Sequence, residues 1–268
     1  MPELQALLGR TLVFVAHPDD EAAGCGVLLQ RMRDPVVVFA TDGAPRDEYF
    51  WRAYGSRKAY AELRRGEARD ALAVIGVRQI EFLARPNTGE AFVDQELHLC
   101  IGDVLQALES VVDHRRPEAL LTLAYEGGHP DHDTCNFLTS LVPRARRLTA
   151  FEMPLYHRSA DGLSVHQEFQ IGNEDQLTVE PTFEELERKH RMLAAYASQK
   201  LTLDFFTNPV ERFRRLAAYD YSRPPHPGTL NYEAWQWPMT GSDLVRAFTT
   251  YLPPKPSPPK RAPGEDAA

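Results

Sequence analysis

Cysteine is scarce in this chain. Cys25, Cys100 and Cys135 are the only three in 268 residues, an odd number far apart, with no Cys-x-x-Cys pair. That excludes a disulfide framework and a thiolate zinc site, and it suits a reducing, cytoplasmic setting. No apolar run approaches the roughly 20 residues that a bilayer-spanning helix requires. The start, Met1-Pro2-Glu3-Leu4-Gln5, lacks the basic segment of a signal peptide. Positive charge is also not in excess: 30 Lys and Arg stand against 38 Asp and Glu, a formal net charge of −8. Nucleic acid and anionic membrane surfaces are therefore excluded as principal partners. No repeat at solenoid spacing is present.

What the chain does contain is an ordinary globular composition, 43% hydrophobic and 25% charged, with strands and helices in alternation. Leu12 to Ala16 reads as a buried strand, apolar on both faces. It runs into His17-Pro18-Asp19-Asp20-Glu21, and apolar residues then recur at helical spacing from Ala22 to Leu29. Val36 to Ala40 reads as a second strand, ending in Thr41-Asp42-Gly43. Arg46 to Tyr54 reads as an aromatic loop, a candidate lid. A helix is expected over Arg57 to Ile75 with Gly76 at its end, a strand over Gln79 to Leu83, and a helix over Gln95 to His114. Ala119 to Ala124 is a strand that runs into Gly128-His129-Pro130-Asp131-His132, repeating the opening pattern. A strand within Leu148 to Tyr156 and a helix over Glu184 to Gln199 follow.

This alternation predicts an α/β fold, a Rossmann-like, mostly parallel sheet with helices on both faces, and a site at the carboxyl ends of its strands. One domain is expected over residues 1–252, with a disordered Pro-rich tail over 253–268. The 201–252 segment is aromatic without clear period. Its Tyr219, Tyr221, Tyr232, Trp235 and Trp237 suit core or subunit packing better than a sugar platform. A homo-oligomer remains open.

Two His-Pro-Asp clusters at two strand ends invite a divalent metal, because imidazole nitrogens and carboxylate oxygens satisfy zinc and related ions. His17 and Asp20 can converge at a helix entry, and either His129 or His132 can complete the set. Spacing alone does not choose between those two. Such a site generates a nucleophile from water and polarises a carbonyl, and a carboxylate outside the metal shell can take the proton. Each cluster taken singly is also a common turn or helix-start pattern.

Ala16-His17-Pro18-Asp19-Asp20-Glu21 together with His129-Pro130-Asp131-His132 resembles the LmbE/PIG-L family of zinc-dependent N-deacetylases. Thr41-Asp42-Gly43, Arg64-Arg65-Gly66-Glu67, Ile75-Gly76-Val77 and Lys189 through Tyr196-Ala197-Ser198-Gln199 resemble further blocks in the family's order. The resemblance implies a hydrolase that removes the acetyl group from an N-acetylglucosamine-type sugar or its conjugate. The alternative is a non-sugar amide such as a natural-product intermediate. It implies zinc, with iron as a substitute, held by His17, Asp20 and His132. It implies Asp19 as general base, His129 as acid or oxyanion partner, and Asp131 hydrogen-bonded to one of the histidines. Arg64 and Asp42 are implied substrate contacts, and Glu21 a structural carboxylate. Two positions depart from the family pattern: Asn87 stands where many relatives carry Asp, and Tyr196 where they carry His.

Overall fold

The computed structural model describes residues 2–142, 146, 148–171 and 175–252; the expected tail over 253–268 lies outside them. A seven-stranded sheet runs in the order β3-β2-β1-β4-β5-β9-β8. Its strands are β1 (Thr11–Val15), β2 (Val36–Phe39), β3 (Gln79–Phe82), β4 (Ala119–Leu123), β5 (Thr149–Met153), β8 (Leu177–Val179) and β9 (Glu211–Arg215). The first five are mutually parallel, while β9 joins β5 and β8 antiparallel. A separate hairpin pairs β6 (Tyr156–Arg158) with β7 (Ser164–His166).

The order has a functional consequence. From β1 the chain moves outward to β2 and β3, then returns to place β4 on the other side of β1, with Leu12 opposite Leu120. The crevice between diverging crossovers at such a reversal is where ligands bind in open α/β sheets. Both His-Pro-Asp clusters follow these two central strands. β1, β2 and β4 are buried along their whole length, as expected of parallel strands covered on both faces. Phe14 alone, fully buried, contributes about 1.5–3 kcal/mol by removal from water.

The helices are α1 (Pro2–Leu7), α2 (Asp20–Arg31), α3 (Arg57–Val74), α4 (Ile101–Arg115), α5 (Pro130–Leu141), α6 (Phe183–Ala195) and α7 (Gly241–Thr249), with two one-turn helices at Lys200–Leu203 and Asn231–Ala234. Ser56 caps α3, and Thr182 with Glu185 forms a capping box on α6. α2 is kinked at Cys25, whose φ is −144°. The expected helix from Gln95 begins instead at Ile101, after a 3-10 turn at Leu97–Leu99. The cause is Asp131, whose carboxylate accepts the backbone N–H groups of Gln95 (2.6 Å) and Leu97 (3.1 Å) and holds that stretch out of helical register. The expected strand over Leu148 to Tyr156 is split between β5 and β6. The aromatic loop holds two 3-10 turns, Glu48–Phe50 and Arg52–Tyr54. No helix of the described residues is long and apolar enough to cross a membrane.

Candidate metal centre and active site

His17 follows β1, and Asp20 opens α2 three residues later. The Asp20 carboxylate accepts the His17 backbone N–H at 2.8 Å, which locks the two together. Pro130 stands in the first turn of α5, where its missing N–H costs nothing, and His132 follows on that turn. Ligand-type atoms of three residues meet. His17 Nδ1 lies 3.3 Å from His132 Nε2 and 3.5 Å from Asp20 Oδ2, and His132 Nε2 lies 3.2 Å from Asp20 Oδ1. For bonds of about 2.0–2.1 Å, the edges of a tetrahedral zinc shell are about 3.3–3.4 Å. The three residues thus present their donors at the spacing of one divalent ion, and the donor set fits.

The opposite edge of the His17 ring supports this assignment. Its Nε2 faces Asp94 Oδ1 at 3.1 Å and Asp131 Oδ2 at 3.3 Å. An imidazole that gives one nitrogen to a metal ordinarily donates the other N–H to a carboxylate, and here two carboxylates stand ready to receive it. His17, His129 and His132 also form a mutually close group, as do His17, Asp94, His129 and Asp131. Asp94 was not singled out from the sequence. It follows the turn-rich Arg85 to Gly89 stretch, and its only signal was an acid placed after the third strand.

His129 sits beside the cluster. The Asp131 backbone N–H donates to its Nδ1 at 3.1 Å, and its Nε2 lies 3.4 Å from Asp94 Oδ1. The neutral ring therefore carries its proton on Nε2. Burial lowers the His129 pKa to about 4, and the charge of His17 adds to the effect. Burial also opposes charge on His17, but Asp94 and Asp20 outweigh it and hold its pKa well above the usual value. Asp20 and Asp94 are both buried, yet the facing imidazoles hold each carboxylate below its ordinary range.

Asp19 lines the same cavity from a strained backbone. Its φ of 120° is a conformation that L side chains rarely adopt. Three contacts hold it there. Its N–H donates to Glu21 Oε2 at 3.1 Å, and the buried Arg64 donates through Nη2 to Asp19 Oδ2 at 3.2 Å and to the Pro18 carbonyl. Burial pushes the Asp19 pKa up to about 6 against the pull of Arg64. Glu21 is buried and structural in its contacts: the Tyr196 hydroxyl donates to its Oε1 at 2.6 Å. Tyr196, the position of the second family departure, is thus part of the support beneath Asp19. The structure does not bring Asp42 into the cluster. Its carboxylate is bound by Arg57 at 2.8 and 3.0 Å and by the Ala44 N–H.

A cavity of about 590 Å³ opens above these residues, lined at its base by His17, Asp19, Asp20, Arg64, His129 and His132. Gln199 reaches the same cavity and is oriented by its bond to the Tyr60 hydroxyl at 2.6 Å.

The fold and the site together define a Rossmann-like α/β protein whose histidine and carboxylate groups are placed to hold a metal ion at the switch point of the sheet. Residues 12–142 match the family profile described as PIG-L: GlcNAc-PI de-N-acetylase. It is similar to a probable N-acetyl-alpha-D-glucosaminyl L-malate deacetylase 2 of Bacillus cereus, 26% identical over 70% of this chain and 82% of that protein. It is 30% identical to a 1D-myo-inositol 2-acetamido-2-deoxy-alpha-D-glucopyranoside deacetylase of Mycobacterium sp. (strain KMS), over 60% of this chain. That match spans 59% of the mycobacterial protein's length. Among solved structures, a deacetylase triple mutant of the teicoplanin biosynthetic pathway shares the fold, with a TM-score of 0.61, 18% identity, and coverage of 79% of this chain and 99% of that one.

Proposed function

We propose that this protein is a zinc-dependent hydrolase that removes an N-acetyl group from an N-acetylglucosamine-type sugar or conjugate. The observation that carries the reading is the meeting of His17 Nδ1, Asp20 and His132 Nε2 within 3.5 Å of one another, with Asp19 and His129 alongside. The relatives named as deacetylases of N-acetylglucosaminyl conjugates support the same substrate class.

His17, Asp20 and His132 would hold the ion. Its chemistry there is Lewis acidity, which makes water a nucleophile near neutral pH and polarises the amide oxygen. Asp19 takes the proton from the attacking water. Arg64 fixes the Asp19 carboxylate while leaving its other oxygen free for that proton. His129, protonated on Nε2, donates to the oxygen that becomes negative as the carbonyl carbon turns tetrahedral, a contribution of a few kcal/mol for one preorganised donor. The proton held by Asp19 then passes to the leaving nitrogen, and the second water proton follows as the new carboxyl group ionises, so the products are the protonated amine and acetate. Asp131 serves by position, turning His17 through its carboxylate and His129 through its N–H.

Amine release from N-acetylglucosamine and its glycosides, with the metal content of the same preparation, tests this reading. Activity that is lost to a chelator and restored by zinc or ferrous ion is expected. No amine release from any N-acetylated sugar by metal-replete protein would overturn it.

A further inference from the structure

The charged groups of the cavity gather among His17, His129 and His132, while Ser164, His166, Gln199 and Thr202 are among its uncharged polar lining elsewhere. Its charged lining residues are Asp19, Asp20, Arg64 and Asp94, and these stand against one another and the histidines, Arg64 on Asp19, Asp20 beside His17 and His132, and Asp94 beside His17 and His129. Above them one wall is a continuous rank of rings. Tyr156 lies 5.4 Å from His132, 6.3 Å from Phe206 and 6.1 Å from Trp235 by ring centroids. Trp235 is 5.2 Å from Trp237, which abuts His129 at 4.9 Å. Phe205 stacks on His166 at 5.5 Å. No Lys, Arg, Asp or Glu of the described residues lines that wall.

The mouth is more unusual than the wall. Leu201 is 83% exposed, Phe205 64% and Trp235 46%, and all three line the same cavity. Core packing does not account for them, since their neighbours Leu203 and Phe206 already supply the buried contacts of that segment. Apolar side chains grouped at the rim of a pocket mark a surface that a ligand covers. A plain sugar, whose exterior is mostly hydroxyl, leaves such a rim in water.

We propose that this wall is a subsite for an apolar substituent, aliphatic or aromatic, carried by the amide substrate. The inference rests on the hydrolase reading above and narrows it. The preferred substrate is an N-acylated amino sugar bearing an apolar group, either at the glycosidic position or as the acyl chain itself. An anionic conjugate is disfavoured, because the wall offers no cation to receive it.

Two substrate arms separate the sources. One compares the phenyl with the methyl glycoside of N-acetylglucosamine; the other compares N-hexanoyl with N-acetyl methyl glucosaminide. In at least one arm kcat/KM is expected to rise about tenfold or more, chiefly through KM, for one buried ring or chain. Trp235→Ala and Phe205→Ala, both at the exposed rim, are expected to reduce that ratio several-fold, and Trp235→Phe to restore most of it. Equal ratios in both arms, with the methyl glycoside still hydrolysed, overturn the subsite and leave the hydrolase reading standing. Quenching of tryptophan fluorescence by the phenyl and methyl glycosides gives a readout free of turnover. If no amide is cleaved but the phenyl glycoside binds more tightly, the hydrolase reading fails and the subsite stands. If sedimentation instead shows a dimer that Phe205→Glu dissociates, a second copy covers the wall and the proposal is wrong.

Discussion

Asp94 Oδ1 lies 3.4 Å from His129 Nε2 and 3.1 Å from His17 Nε2, so one buried carboxylate faces both imidazoles. It stands on the far edge of the His17 ring from Asp20, and the ring is turned so that its Nδ1 meets Asp20 and His132. A carboxylate in that position sets the tautomer and basicity of a metal-ligating histidine.

Replacing it separates positioning from ligation. Asp94→Asn is expected to lower metal affinity or kcat by about 10–100-fold, the usual effect of losing such an outer partner. Metal titration followed by kinetics at saturating metal divides the two effects. A variant with wild-type affinity and wild-type kcat would show that Asp94 does not orient the rings.

Asp19 and His17 should fail in different ways. Asp19→Ala removes the proposed base and no ligand, so kcat is expected to fall by about 10²–10⁴ with bound metal retained. His17→Ala removes a ligand, and the purified protein is expected to lose the metal together with activity. Metal analysis of both variants by mass spectrometry, beside amine-release rates, is the check. Loss of metal in Asp19→Ala would make that residue a ligand rather than a base.

The two His-Pro-Asp clusters were legible because each packs its donors into four residues at the end of an apolar strand, so local spacing carries most of the geometry. The mostly parallel character of the sheet followed from the alternation of buried strands and helices; the order β3-β2-β1-β4-β5-β9-β8 is seen only in the fold. Asp94 was not legible. It reaches the site through a loop conformation, with Gln95 at a φ of 70° and the Gln95 and Leu97 N–H groups bound to Asp131, a contact 34 to 36 residues away in sequence. β9 was missed for a different reason. Glu211-Arg212-Phe213-Arg214-Arg215 has the composition of a solvated segment, yet Glu211 and Arg214 are buried. Their charges are met by Lys189 at 2.7 Å and Glu152 at 2.6 Å, residues that sequence proximity does not connect to them.

The ion pair between α2 and α6 gives a pH signature away from the metal. Arg31 donates to both oxygens of Glu185, at 2.8 and 2.7 Å. Chiefly through these bonds, the Glu185 pKa falls from its ordinary 4.5 to about 2. The unfolded chain takes up this proton first as pH drops. The contribution to stability is therefore complete above about pH 4.5 and lost as pH falls toward about 2. Glu185→Gln keeps a capping-box side chain and is expected to flatten urea-unfolding stability across that window. Unchanged slopes in wild type and variant would exclude the pair as a source of acid sensitivity.

Lys189 makes the strongest stability prediction, because its partner Glu211 does three jobs at once. Glu211 accepts the Val27 and Leu28 N–H groups at 2.7 and 2.8 Å, which restarts α2 after the kink at Cys25. It also receives Lys189 Nζ, which donates in addition to the Ala23 carbonyl at 3.0 Å on the other side of the kink. Both side chains are almost wholly buried. Lys189→Met fills most of the same volume but leaves a buried carboxylate without its cation, a change that costs about 3–5 kcal/mol. Glu211→Gln added to Lys189→Met removes the stranded charge and keeps an amide oxygen for one of the two N–H groups. The double variant is therefore expected to regain part of the stability lost by the single one. Urea unfolding of the three proteins measures this, and a double variant less stable than Lys189→Met alone would show that charge on Glu211, rather than its pairing, is what the kink requires.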